Sequence, residues 1–285
     1  MSFVTCVLCV LVLTISGTSD AASAQFVMPE PSVTIEQRDL VKYFPDKLIE
    51  LETDEGKILT LFSPYMSASK RGVAIILPGA GQGPLSVHGL SYLSQALTDD
   101  GFDTYAVQTP HLNWQADLLQ VDPITTQNEE AAEADYTGPW SEPMLNDYKE
   151  QLLASFDVLY NQLQMTNQEQ LVVIAHGVSA GVFSEYLASL PNIRIDAFVT
   201  VSAQLPNTKR NKHLPAVLSL VSPPLLDIIY SQDTQSILDN AKQRIRWVKR
   251  NNKYDYRQRE LFGISTEPRQ HQRLRKELDG FLRQL

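Results

Sequence analysis

Apolar and polar residues alternate with two different periods along the chain, and these periods predict its strands and helices. Residues 47–64, KLIELETDEGKILTLFSP, carry apolar side chains at alternate positions on both sides of Asp54-Glu55-Gly56, which predicts an antiparallel hairpin. Short apolar runs bounded by turn residues predict further strands at 72–79, 103–110, 171–177, 196–204, 224–233 and 257–265. Apolar residues at helical spacing predict intervening helices, for example through Leu90, Leu93 and Leu97 and over 148–163.

This alternation of strands and helices predicts an α/β fold with a mostly parallel central sheet of about eight strands and helices on both faces. The length fits a single domain over 25–285. Two segments interrupt the pattern. Residues 114–147 are acidic and aperiodic, which predicts a surface excursion: either a solvated loop or, given Trp114, Tyr136 and Trp140, a flap over a site. Residues 204–222 form a short lid with an apolar part.

The first 24 residues resemble a secretory signal peptide. An apolar run from Phe3 to Ile15 is followed by Ala22-Ser23-Ala24, which predicts cleavage before Gln25 and a periplasmic or secreted protein. No Lys or Arg precedes the apolar run, so an uncleaved N-terminal membrane anchor is the alternative. Both cysteines, Cys6 and Cys9, lie in this segment, so the mature chain is predicted to contain no disulfide.

The net charge and the sequence motifs limit the classes of ligand and partner that the protein is expected to bind. The net charge of −9 argues against nucleic acid. The stretch 242–259 is the exception, with eight basic residues and one acidic residue. It is interpreted as the solvated face of a helix or as a contact with an anionic envelope surface. The loop PGAGQGP has Pro84 where a dinucleotide fingerprint needs glycine, and it lacks the Gly-Lys pair of a P-loop. No metal-ligand spacing occurs either, so we expect neither cofactor nor metal.

The strongest candidate for chemistry is Gly177-Val178-Ser179-Ala180-Gly181, a G-x-S-x-G sequence. It follows a buried-type strand and opens a predicted helix, which is the setting of a nucleophile elbow. Small neighbours let strand and helix approach closely, and the helix N-terminus stabilises developing negative charge. The sequence therefore predicts Ser179 as a nucleophile, with small packing at a strand-to-helix turn as the alternative.

By this motif and by element order over nearly the whole mature chain, the sequence resembles the α/β-hydrolase superfamily. It is most similar to exported bacterial α/β-hydrolase-like proteins of unassigned function. In that group an HGxxxG elbow precedes a strand like PPLLDIIYSQD and a Y-x-Q segment, here Tyr256 to Gln258. Members of the group do not all keep the serine, so the resemblance leaves catalysis open.

The superfamily pattern implies an acid after the next-but-one strand and a histidine after the last one. Asp233 closes PLLDIIYSQD and fits the acid, with a helix N-cap as its structural alternative. Asp227 is the rival, although it falls inside the strand, where it is expected to face a helix or pair with a basic residue. His271 is the one histidine after the last strand and is the predicted base, with a partly buried core histidine as the alternative.

The remaining histidines and the oxyanion donors complete the prediction. His176 precedes the elbow and is expected to point away from Ser179, His213 to lie on the surface, and His88 and His111 could line the mouth. The pattern implies one oxyanion donor from the N–H of Ala180 and a second from Ala80 or Gly81 in the loop after the 72–79 strand.

Together these features predict an exported serine hydrolase, carboxylesterase-like, that transfers the acyl group of a small or medium ester by Ser179, His271 and Asp233. A peptidase or amidase would share this chemistry. The alternative from another class is a catalytically inactive binding protein of the cell envelope that keeps the fold. The predicted geometry is His271 within hydrogen-bond reach of Ser179 and Asp233 on its far side.

Overall fold

The computed structural model describes Glu30 and residues 32–53, 56–110, 140–163, 169–190 and 193–285. Within these ranges the chain forms eight strands: β1 Leu48–Thr53, β2 Gly56–Ser63, β3 Gly72–Leu77, β4 Phe102–Val107, β5 Gln170–His176, β6 Ala197–Val201, β7 Leu225–Tyr230 and β8 Tyr256–Leu261. The helices there are α1 Ser32–Tyr43, α2 Leu90–Asp99, α3 Glu142–Gln162, α4 Gly177–Ser189, α5 Thr208–Leu218, α6 Gln235–Arg250 and α7 Pro268–Leu282. A short 3-10 helix, Pro45–Lys47, leads into β1.

The eight strands form one sheet in the order β1-β2-β4-β3-β5-β6-β7-β8. The β1–β2 hairpin is antiparallel, as predicted, and β2 also pairs antiparallel with β4. All other neighbours are parallel, because helices connect their strands. The predicted mostly parallel α/β sheet is therefore confirmed.

Two apolar layers cover the sheet, one on each face. The first packs α3, α4 and α5 against side chains such as Val173 and Phe198. The second packs α2 and α7 against the opposite side chains, such as Ile174 and Val199. Every residue of β3, β6 and β7 is buried, which explains why these strands read as continuous apolar runs rather than alternating ones. None of the described helices is both long and apolar enough to cross a membrane.

Three elements differ from the sequence-based expectation. Helix α1 lies between the predicted signal segment and the hairpin, where no element was predicted, and it buries Val33 and Leu40. Helix α3 begins at Glu142, inside the predicted excursion 114–147, because Ser141 caps it by accepting the Met144 N–H. Residues 114–139 of that excursion lie outside the described residues. The lid 204–222 contains a regular helix, α5, whose N-cap is Asn207.

A buried polar network fixes α6 against β6, β7 and β8. We call it the Asp227 network; its members are Asp227, Arg244, Thr200, Tyr256 and Gln258. Arg244 donates to both carboxylate oxygens of Asp227, at 2.8 and 3.1 Å, and both side chains are fully buried. Thr200, Tyr256 and Gln258 also donate to this carboxylate. The expectation that Asp227 pairs with a basic residue is confirmed.

The basic stretch 242–259 is divided between structural and exposed side chains. Arg244 forms its ion pair within the Asp227 network, and Arg259 pairs with Glu277 on α7 at 3.1 Å. Four bases of α6, Lys242, Arg246, Lys249 and Arg250, are exposed. The solvated helix face predicted for this stretch is therefore present.

Candidate functional site

The sharp turn between β5 and α4 is made by Gly177, not by Ser179. Strand β5 ends at His176 and α4 begins at Gly177, whose φ is +57°. A nucleophile elbow holds its nucleophile on this strained residue. A Cβ added at Gly177 would meet no described atom within 4 Å, so a side chain at this position would have room. The turn position, where the fold offers a place to a nucleophile, therefore holds Gly177, and the predicted Ser179 lies further along the helix.

Ser179 lies two residues beyond the turn, inside the first turn of α4, and is fully buried. Its Oγ is 2.6 Å from the hydroxyl of Tyr148 on α3 and donates a short hydrogen bond to the carbonyl of Pro78 after β3. Burial raises the pKa of Tyr148 well above its usual range, so this phenol stays protonated at neutral pH. Both partners of Ser179 hold helix α4 against neighbouring elements, and neither is a base.

Two histidines stack beside the turn. The rings of His88 and His176 are 4.6 Å apart and nearly parallel. Burial, with a smaller contribution from the neighbouring His88, lowers the pKa of His176 to about 3. Burial also lowers the pKa of His88; Asp233 counteracts this, and His271 adds to it. Both imidazoles are therefore neutral at pH 7.

His176 is incompletely satisfied. Its Nδ1 is buried and has no hydrogen-bond partner among the residues that the structure describes. It lies against Gly79, where an added Cβ would approach Nδ1 to 2.9 Å. His88 does have a partner, because its Nδ1 is 2.8 Å from the hydroxyl of Ser265, in the loop after β8.

Asp233 follows β7, as predicted, but its carboxylate is held by other groups than a histidine. Its Oδ2 accepts from the Ser202 hydroxyl and from the Tyr230 N–H, both at 2.8 Å. Burial raises the pKa of Asp233, and these two hydrogen bonds lower it only in part. The N-cap of α6 is Thr234, so the capping alternative for Asp233 does not apply. Ser202 has φ +50°, a strained conformation for a residue with a side chain.

His271 lies in the first turn of α7, facing α2. Its Nε2 is 2.9 Å from the Ser265 carbonyl, and its ring lies against Gly89, where an added Cβ would approach it to 2.9 Å. No hydrogen bond joins Ser179, His271 and Asp233 in the part of the chain described. Each has the separate partners given above, so the predicted triad geometry is not assembled.

The position of the turn at Gly177 also changes which backbone N–H groups could act as oxyanion donors. Because the turn residue is Gly177, the residue after it is Val178, while Ala180 lies deeper in the buried first turn of α4. The N–H of Gly81 donates to the Pro110 carbonyl at 3.2 Å and is not free. Ala80 is half-buried against the apolar layer formed by α3, α4 and α5 and stays a prediction.

At the carboxyl edge of the sheet, the structure brings the predicted Asp233 together with residues that were not part of the predicted triad. We call His88, His176, Ser202 and Asp233 the elbow cluster. The sequence did contain a signal for the turn at Gly177, because the strand before it ends at His176. Ser202 carried no such signal. His213 is exposed on α5, as expected, and His111 lies outside the described residues. Among the described side chains, no three His, Cys, Asp or Glu could share a metal ion.

An eight-stranded, mostly parallel sheet with antiparallel strands at one end and a strand-turn-helix elbow at its centre defines the α/β-hydrolase fold. Solved structures support this. Dienelactone hydrolase from Anabaena variabilis superposes with a TM-score of 0.58 at 12% identity, over 83% of this chain and 96% of its own. Est1E from Butyrivibrio proteoclasticus gives 0.56 at 11% identity, over 84% and 98%. An esterase from Pyrococcus furiosus gives 0.56 at 13%, over 84% and 90%.

Sequence comparison places the chain more narrowly. Residues 6–284 match the family described as "Protein of unknown function (DUF3530)", and the chain belongs to this family. No curated protein matches it. The resemblance to an α/β-hydrolase-like family of unassigned function is thereby confirmed.

Proposed function

We propose that this protein is a binding protein with an α/β-hydrolase fold, which holds a small acyl-containing molecule without forming a covalent acyl-enzyme. The observation that carries the proposal is Gly177. It occupies the turn where the fold presents a nucleophile, and glycine has no side chain to attack a carbonyl.

The hydrogen bonds of Ser179 support the same conclusion. A nucleophilic serine needs a base within hydrogen-bond reach and an exposed Oγ. Ser179 is buried, and its Oγ contacts a protonated phenol and a carbonyl oxygen. To act as a nucleophile it would have to give up both contacts and move toward the turn.

Hydrolysis of a small or medium ester by Ser179, His271 and Asp233 is the second candidate. It is favoured by the position of Asp233 after β7 and by the similar structures, one of which is an esterase and another dienelactone hydrolase. In this alternative His271 would have to exchange its Ser265 contact for Ser179.

A fluorophosphonate probe separates the two candidates, because it forms a bond only with an activated serine. We expect no labelling of the folded wild-type protein and none of Ser179→Ala. Labelling of the wild type that is lost in Ser179→Ala would refute the binding proposal and establish the esterase. A 4-nitrophenyl butyrate assay on the same samples provides the second readout, with no turnover above buffer expected.

We also propose that the protein acts outside the cytoplasm after removal of residues 1–24. The proposal rests on the apolar run and the Ala22-Ser23-Ala24 sequence. Mass spectrometry of the protein purified from a bacterial envelope fraction should give an N-terminus at Gln25. An N-terminus at Met1 in the membrane fraction would instead support the uncleaved anchor.

Contact with an anionic envelope surface is a part of this proposal that the exposed bases of α6 support. Co-sedimentation with vesicles containing anionic lipid should decrease when Arg246 and Lys249 are both replaced by Gln. Equal sedimentation of the two proteins would remove this contact from the proposal.

A further inference from the structure

A cavity of about 610 Å³ lies between α5, α6 and the start of α4, next to the turn at Gly177. One face of each of the two helices lines it: Thr208, Asn211, Lys212 and Pro215 on α5, and Ser236, Asp239, Asn240 and Gln243 on α6. Both sets recur at helical spacing. Its volume falls within the range of small-molecule binding sites.

The cavity is connected to the elbow through the backbone. Val178, which follows the turn residue, lines it, and the N–H of Gln204 donates to the Gly177 carbonyl at 3.1 Å. Gly181, one turn further along α4, packs directly against the backbone of Gln204, because an added Cβ would clash with the Gln204 carbonyl oxygen. A molecule in the cavity would therefore contact the same turn that the fold uses for chemistry in hydrolases.

The lining combines apolar surface with one uncompensated positive charge. Val178, Leu205, Pro206 and Pro215 contribute apolar surface. The two charged residues of the lining differ in their partners. Asp239 forms an exposed ion pair with Lys242 at 3.0 Å, whereas Lys212 makes no ion pair within the described ranges.

We infer that this cavity binds an amphiphilic carboxylate of medium chain length, with its carboxylate at Lys212 and its chain along Leu205, Pro206, Pro215 and Val178. The inference deepens the proposed function, because it names the ligand class and the place of binding. The N-terminal turns of α5 and α6 both begin at the carboxyl edge of the sheet and add to the preference for an anion.

Isothermal titration with two probes of equal chain length, octanoate and octylammonium, tests the inference at pH 7.5. We expect saturable binding of octanoate and no measurable binding of octylammonium. Absence of octanoate binding would overturn the inference. So would octylammonium binding of equal or higher affinity, because Asp239 would then dominate the charge of the cavity.

Two variants locate the site. Lys212→Met should raise the Kd of octanoate by about fivefold, the effect of losing one partly exposed ion pair. Lys209→Met is the matched control, because Lys209 is exposed on the same helix outside the cavity lining. The Kd of octanoate for this variant should stay within about twofold of the wild-type value. Equal effects of the two substitutions would overturn the inference.

Ser236→Trp provides an independent test, because it places a bulky side chain at an exposed position of the lining. Octanoate binding should be lost while the far-UV spectrum and the thermal midpoint stay unchanged. Binding that persists in folded Ser236→Trp would place octanoate elsewhere. Failure of this inference and failure of the proposed function are distinguishable, since a protein that is labelled on Ser179 and still binds octanoate refutes only the latter.

Discussion

The Asp227 network and the elbow cluster are two groups of polar side chains on the same sheet, and they differ in how completely their buried polar atoms are paired. In the Asp227 network the carboxylate accepts from Arg244, Thr200, Tyr256 and Gln258. In the elbow cluster the Nδ1 of His176 has no partner among the described residues, and a Cβ added at the next residue, Gly177, would meet no described atom within 4 Å.

This difference distinguishes polar side chains that only stabilise the fold from polar side chains that are still able to bind a ligand. A buried charge is tolerated when its hydrogen-bonding capacity is fully used, so the Asp227 network holds α6 in place and offers nothing to a ligand. A buried polar atom without a partner is costly to fold, and its hydrogen-bonding capacity remains available to water or to a bound molecule. Next to the elbow cluster, Gly177 occupies the turn at which the α/β-hydrolase fold presents a nucleophile.

The largest expected effect comes from breaking the Asp227 network. Arg244→Met should lower the free energy of unfolding by about 3–5 kcal/mol, because the carboxylate of Asp227 stays buried without its counter-charge. Urea denaturation measures this. Lys242→Met, which removes an exposed base from the same helix, should change stability by less than about 1 kcal/mol. If Arg244→Met also lowered the free energy of unfolding by less than about 1 kcal/mol, the Asp227 carboxylate would have to be accessible to water.

The elbow cluster should make stability depend on pH through His176. Its pKa is about 6.5 when unfolded and is lowered to about 3 in the folded protein, so burial favours the neutral form. This contribution is complete above pH 6.5 and is lost as the pH falls toward 3, about 3 kcal/mol of it by pH 4. Urea denaturation of wild type and His176→Phe at pH 7 and pH 4 measures it. His176→Phe should lose less stability than wild type over this interval, and identical losses would contradict the assigned burial.

Ser179→Ala tests whether this serine belongs to the structural class. The substitution leaves the Pro78 carbonyl and the Tyr148 hydroxyl without their Oγ partner and should cost about 1–2 kcal/mol of stability. Ser189→Ala, at an exposed position on the same helix, should cost less, since water replaces its contact. If Ser179→Ala were neutral in thermal unfolding, the buried contacts of Ser179 would not contribute as described.

The smallest effect is expected at the turn itself. Gly177→Ala should cost about 1 kcal/mol, from positive φ alone, because its Cβ would meet no described atom. Gly181→Ala is the matched comparison, since its Cβ would clash with the Gln204 carbonyl, and it should be clearly more destabilising. The reverse order in urea denaturation would mean that Gly177 is enclosed.

The sequence predicted the sheet well because β3, β5, β6 and β7 are apolar on both faces, a pattern that local composition records. It missed α1, whose apolar stripe is narrow and whose position depends on contacts such as the Glu36 carboxylate accepting the Leu85 N–H. The difference at the elbow between the predicted and the observed turn residue has another cause. G-x-S-x-G fixes a spacing of residue types, whereas the residue on the turn is fixed by where β5 ends, and the end of β5 depends on pairing with β6 up to His176. Asp233 was placed correctly after its strand, but its partner Ser202 comes from a distant segment that no local pattern marks.

Side-chain accessibility at positions 177 and 179 tests the central claim most directly. In a background with Cys6 and Cys9 replaced by Ser, Gly177→Cys and Ser179→Cys each carry a single thiol, and its reaction with a methanethiosulfonate reagent can be followed by intact mass. We predict rapid modification at 177 and, in the native state, modification at 179 that is about a hundredfold or more slower, becoming fast only in urea. Fast modification at 179 with protection at 177 would contradict the account, because Ser179 would then be the residue that the turn presents.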